Sequence, residues 1–225
     1  MKSLHKYIST SIKPSTIKAD DDNIKKIIVD EIKRLGPDAD LNHIDVSKVT
    51  NMKQLFAKTN FNGDISKWDV HNVRTLSYTF EICENFTGET ITDWYFENLT
   101  ILRGTFYKCK KFNGDLGRWN VSKVDMFGHC FAECEEFNKD ISSWNTSNGV
   151  YFEYMFANCK KFNQNISKWD MSKATNVEYM LNGCEKFYQN LYNWNVKTAN
   201  YAGIFLGANR MMKHKTYWPK WWPWE

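Results

Sequence analysis

The chain has 225 residues, of which 42% are hydrophobic, 25% charged and 16% aromatic, with ten Trp and fifteen Phe. That balance excludes a disordered chain, and the lack of an apolar run of about 18 residues excludes a helical membrane span. The formal charge is +4, but residues 41–212 hold 19 Lys and Arg against 18 Asp and Glu, so no basic stripe for nucleic acid is expected.

In chain order, residues 1–22 read as a docking helix and a linker. Leu4, Tyr7, Ile8 and Ile12 have helical spacing, with Leu4, Tyr7 and Ile8 as candidate docking residues, and Pro14 to Asp22 as the linker. The opening lacks the apolar core of a secretory signal, so the expected location is a reducing cytoplasm or a virion. Residues 23–40 read as a capping helix. Ile24, Ile27, Ile28, Ile32 and Leu35 form one stripe, Asp20 to Asp22 lie at its positive end, and Gly36-Pro37 stops it.

Residues 41–210 are periodic. Trp68, Trp94, Trp119, Trp144, Trp169 and Trp194 are spaced 26, 25, 25, 25 and 25 residues apart. The same register holds Cys83, Cys109, Cys134, Cys159 and Cys184, a Phe column from Phe61 to Phe187, and a second from Phe56 to Phe205 in which Leu181 replaces one Phe. Such a unit cannot bury its apolar residues alone, and stacking on its neighbours makes one continuous core. Val49, Met52 and Phe56 are spaced for a helical turn or two, while Ile65, Trp68 and Val70 suit a short strand. The expected fold class is therefore α/β, a right-handed solenoid of about seven turns, each with a short parallel strand and a short helix. Leu41 to Lys48 reads as a half repeat, and Tyr201, Phe205 and Ala208 as a seventh unit without its Trp. Residues 211–225 form a Trp-rich tail in which Trp218, Trp221, Trp222 and Trp224 either cover the last turn or dock elsewhere.

The segments Val49-Thr50-Asn51-Met52, Phe61-Asn62-Gly63-Asp64-Ile65-Ser66-Lys67-Trp68-Asp69-Val70 and Asp140-Ile141-Ser142-Ser143-Trp144 resemble the repeat of the BspA-like leucine-rich-repeat proteins over about residues 38–208. The resemblance implies a leucine-rich-repeat-like solenoid found in mycoplasmas, gut bacteria and their phages. Surface-exposed members imply adhesion or protein binding, and the family brings no catalytic residues.

The residues themselves offer little chemistry. The Cys column lacks the short ligand spacing of a zinc site, apart from Cys130 and Cys134 beside His129, and reads as buried thiols. The column Asp64, Glu89, Asp115 and Asp140 continues as Asn165 and Asn190, which points to turn bonding rather than acid–base work. His5, His43, His71, His129 and His214 share no column. The pairs Lys110-Lys111, Glu135-Glu136, Lys160-Lys161 and Glu185-Lys186 alternate in sign and read as an edge that fixes register. Lys67, Asp93, Arg118, Ser143, Lys168 and Asn193, just before each Trp, vary in chemistry and are the candidate binding face on the strands. The expected function is a non-catalytic protein-interaction scaffold, with a phage or cell-surface adhesin for a host protein or glycan as the alternative. The expected partner is a protein; no cofactor, metal, nucleic acid or membrane insertion is expected, and the oligomeric state stays open.

Overall fold

The computed structural model describes residues 16–196 and 200–222. Leu4, Tyr7, Ile8 and Trp224 lie outside the described residues. Regular elements are few: β1 (Ile17–Lys18), α1 (Ile24–Leu35), β2 (Ile44–Asp45), α2 (Asn209–Met212) and two short 3-10 turns at Glu89–Ile91 and Lys215–Tyr217.

The repeats lie one against the next. Single parallel bridges join Asn51 to Thr75, Thr75 to Ile101, Ile101 to Met126, Met126 to Tyr151, Tyr151 to Asn176 and Asn176 to Asn200. Beyond each bridge, alternate N–H groups donate to the following repeat. Leu76 bonds to the Ile101 carbonyl at 3.0 Å, Tyr78 to Arg103 at 2.9 Å, Phe80 to Thr105 at 2.9 Å and Ile82 to Tyr107 at 2.7 Å. The remaining groups close tight turns inside the repeat, as in Thr79 to Leu76 at 3.0 Å and Cys83 to Phe80 at 2.9 Å.

This pattern replaces the helix expected at Val49, Met52 and Phe56. Three and seven residues after each bridge the backbone is left-handed, as at Tyr78 (φ 55°) and Ile82 (φ 58°), Gly104 (φ 60°) and Lys108 (φ 63°), and Tyr154 (φ 55°) and Asn158 (φ 60°). A left-handed residue every fourth position ends each helical turn as it forms and sends the next N–H sideways to the neighbouring repeat. The strand expected at Ile65 to Val70 is also absent; that stretch runs through turns, and apart from one parallel bridge between Asp40 and Asp64 the bridges fall at Asn51, Thr75 and their equivalents.

Inside the coil the periodic residues form buried columns. Phe56, Phe80, Phe106, Phe131 and Phe156 stack at centroid distances of 5.2, 5.7, 5.6 and 5.5 Å. Trp68, Trp94 and Trp119 stack at 6.2 Å per step. Burying 150–250 Å² per ring contributes about 4–6 kcal/mol of gross transfer free energy, before the entropy of ordering is subtracted. The Trp column is also a hydrogen-bond ladder. Each indole Nε1–H donates to the Ile or Leu carbonyl of the preceding repeat, from Trp68 to Leu41 at 3.0 Å through Trp194 to Ile166 at 2.9 Å. An indole fits because its one donor meets one buried carbonyl.

The two ends are closed by different means. α1 lays Ile24, Ile28 and Glu31 against the first turn. The Glu31 carboxylate meets Arg34 at 2.5 Å and His43 at 2.9 Å, and chiefly the Arg34 bond holds it below its ordinary pKa. The segment read as a linker is partly structural, because β1 pairs in parallel with β2, Ile17 opposite Ile44 and Lys18 opposite Asp45. Asp21 then replaces a missing preceding repeat: its Oδ1 accepts the Thr50 and Asn51 N–H groups at 2.7 and 3.0 Å, bonds that later repeats make to a backbone carbonyl. At the far end Trp218 is buried against Phe205 at 5.6 Å. It follows Phe205 by 13 residues, as Trp169 follows Phe156, but its indole donates to Met211 within the tail and not to the preceding repeat, so it covers the seventh unit without continuing the Trp ladder.

Candidate interaction surface

The six residues that precede the Trp column, Lys67, Asp93, Arg118, Ser143, Lys168 and Asn193, are all exposed and lie in one column. They occupy turns, which corrects their expected place on a strand face. Arg118 reaches Asp93 at 3.4 Å, and Ser143 Oγ donates to the Gly117 carbonyl at 2.9 Å. One consecutive pair is therefore engaged with itself, and Ser143 with the backbone of the repeat before it.

Neighbouring surface columns are spent on the backbone. Asp64, Asp115, Asp140, Asn165 and Asn190 each accept the N–H two residues on, at 2.8–3.0 Å, which is the turn bonding expected of them. Those N–H bonds, from Ser66 and Ser142, hold the Asp64 and Asp140 carboxyls below their ordinary value. Glu89 departs from the column and begins the Glu89–Ile91 3-10 turn. An open polar groove of about 840 Å³ runs past it, lined among others by Glu89, Lys111, Asp115, Glu136 and Lys139. The alternating pairs meet across repeats, with Lys110 on Glu84 at 3.1 Å, Lys160 on Glu135 at 2.7 Å, and Lys161 on Glu136. All six thiols are free and buried. Those of the column donate to the Phe carbonyl of the preceding repeat, as in Cys134 to Phe106 at 3.0 Å, and burial pushes them up, Cys83 to about 11.

The face over the bridges differs. Between the buried residues of each ladder segment, the outward positions change from one repeat to the next: Tyr78, Arg103, Tyr107, His129, Tyr151, Tyr154 and Tyr179, with Glu153 tucked beneath Arg103. His129, Tyr154 and Tyr179 stack on one another at 4.9 and 5.0 Å, and the Tyr107 ring meets His129 edge-on at 6.0 Å. Stacking covers ring faces of His129, Tyr154 and Tyr179. Tyr78 lies over Gly104, where an added Cβ would come within 2.3 Å of its ring. Arg103 donates to the Tyr78 hydroxyl at 3.3 Å and spans Gly128 to pair with Glu153 at 3.2 Å. At Gly128 an added Cβ would strike Glu153 Oε1 at 2.5 Å. Glu153 is 8% exposed, and its Oε2 has no hydrogen-bond partner among the described residues. Burial, then the Arg103 charge, lowers the pKa of His129. Sequence reasoning missed this face because the helix expected there placed these residues on a helix surface; the available signal was the pair of columns two and three residues past the bridge, variable in chemistry close to the nearly constant Phe column.

Of the tail residues proposed for docking, Trp218 is buried in the stack, and its Nε1 donates to the Met211 carbonyl at 2.9 Å. Trp221 and Trp222 are half-buried against Tyr201 at 5.6 and 5.3 Å. The described part of the tail thus covers the last turn. No helix among the described residues is long and apolar enough to cross a membrane.

No curated protein and no solved structure matches the chain. A family model described as Mycoplasma protein of unknown function, DUF285, matches residues 26–135 and again residues 101–218. The second match begins 75 residues after the first, which is three 25-residue units. The chain is a repeat protein and belongs to the DUF285 family.

Proposed function

We propose that the chain is a non-catalytic scaffold that binds a protein partner through the face over the bridges, and that its coil is a leucine-rich-repeat-like solenoid of the BspA-like kind. The right-handed sense follows from the preference of parallel segments joined by a crossover. The supporting observation is the Tyr, Arg, His and Glu mosaic from Tyr78 to Tyr179. Tyr and Arg are the side chains that most often anchor protein interfaces. The stacked ring faces of His129, Tyr154 and Tyr179 favour a protein over a glycan there, because a sugar would stack on a free face. The other columns are occupied with backbone bonds, thiol bonds and ion pairs, and the polar groove is open rather than enclosed, which fits a protein without chemistry of its own.

A photo-crosslinking side chain placed at Tyr151, and separately at Lys168, tests the reading in the native cells. Covalent adducts with protein at position 151 and not at 168 support it. Adducts only at 168 move the interface to the turn edge, and none at either position overturns the reading.

A further inference from the structure

The bridge face is polarised along the stack. Its first three repeats, outward from the residue before each bridge, carry Lys53, Lys58, Arg74, Arg103 and Lys108 against the single acid Glu81. The next three carry Asp125, Glu133, Glu153 and Glu178 and no Lys or Arg. Each half therefore has four charges in excess, of opposite sign. Lys53, Lys58, Arg74 and Asp125 are exposed, Arg103, Lys108, Glu133 and Glu178 are half-buried, and Glu153 is buried beneath its pairing with Arg103. Where the halves meet, Arg103 pairs with Glu153 at 3.2 Å and Lys108 with Glu133 at 3.7 Å. At the leading edge Asp21 is already engaged by Thr50 and Asn51.

A partner of one charge sign, such as nucleic acid or an anionic lipid surface, matches only one half of this face and is repelled by the other. A face with equal and opposite halves is complementary to itself when turned end for end. We propose that the partner of the bridge face is a second copy of this chain, an inference that rests on reading the face as a protein-binding surface. The two-fold axis lies in the interface at right angles to the stack, between the repeats that begin at Ile101 and Met126. Lys53 then faces Glu178 of the second copy and Lys108 faces Glu133, each contact occurring twice, while Lys58, Arg74 and Asp125 add their charge around them. Tyr78 and Tyr154 oppose each other across the axis and supply the apolar part. The bridges from Asn51 to Asn200 make six steps, so at roughly 4.8 Å per step the face is about 29 Å long.

Sedimentation of the purified chain tests this, at concentrations on the order of 100 µM and low salt. A dimer is expected, and it should weaken at least about tenfold near 1 M salt, where the Debye length is about 3 Å. The double variant Lys53→Glu, Lys58→Glu and the variant Glu178→Lys should each sediment as monomers, with thermal melting recorded to show that they fold. Mixed in equal amounts they should recover the dimer, because both contacts then pair opposite charges. A wild-type chain that stays at 26.6 kDa throughout overturns the inference. So does a dimer that both variants leave unchanged, since its interface lies elsewhere. A monomeric chain that still gives adducts with another protein at position 151 removes the second copy and leaves the protein-binding reading standing.

Discussion

The interior columns and the bridge face are built from the same repeats under opposite rules. Inside, the Trp, Cys and Phe columns keep their chemistry from rung to rung: Trp donates to a carbonyl below it, Cys to another, and Phe rings stack at regular steps. On the bridge face, the position three residues past the bridge is Gln54, Tyr78, Gly104, His129, Tyr154, Tyr179 and Gly203 in turn, although its backbone is left-handed in every case. A shared conformation with unshared side chains shows that the backbone there is fixed by the ladder while the side chain is free of that duty. Stability belongs to the columns, which leaves the face available for the recognition proposed for it.

The largest test of that division empties the core. Trp144→Ala removes a buried ring and its bond to the Leu116 carbonyl, and should cost about 3–5 kcal/mol in urea unfolding. The thiol column comes next. Burial raises the Cys83 pKa from its ordinary 9.0 to about 11, so its contribution is fully present below pH 9.0 and is lost as pH rises through about 11. The melting temperature should fall over that window, and less so in Cys83→Ala; a fall of equal size in the variant would acquit the thiol. Gly104→Ala asks a side chain to hold φ 60° against the Tyr78 ring and should cost roughly 2 kcal/mol, part of it recovered when Tyr78→Ala is added. Trp144→Phe keeps most of the apolar area but loses the indole donor, at about 1–2 kcal/mol. The charge edge matters least: Glu135→Lys should cost under about 1 kcal/mol, and high salt should erase the difference.

Much of the interior was legible in the amino-acid sequence. The Trp, Cys and Phe columns follow from a period of 25, and the stripe from Ile24 to Leu35 predicts a helix where α1 stands. The path between the columns was not. Spacings of three and four suit a helix, and nothing in Gln54, Lys58 or Ile82 announces a left-handed residue; only the glycines at 104, 183, 203 and 207 hint at it. With the helix misplaced, the bridge face vanished from view, and the turn-edge column from Lys67 to Asn193 took its place as the candidate site. The covering of the last turn by Trp218 was one of the two alternatives that the Trp-rich tail offered.

One paired measurement tests the division of labour most directly. Tyr151 sits on the bridge face, 40% exposed, while Trp144 lies in the column beneath, 4% exposed. Urea unfolding of Trp144→Ala and Tyr151→Ala should give a loss of about 3–5 kcal/mol for the first and under about 1 kcal/mol for the second. Equal losses would contradict the account, because the face would then be holding the fold together rather than standing free to bind.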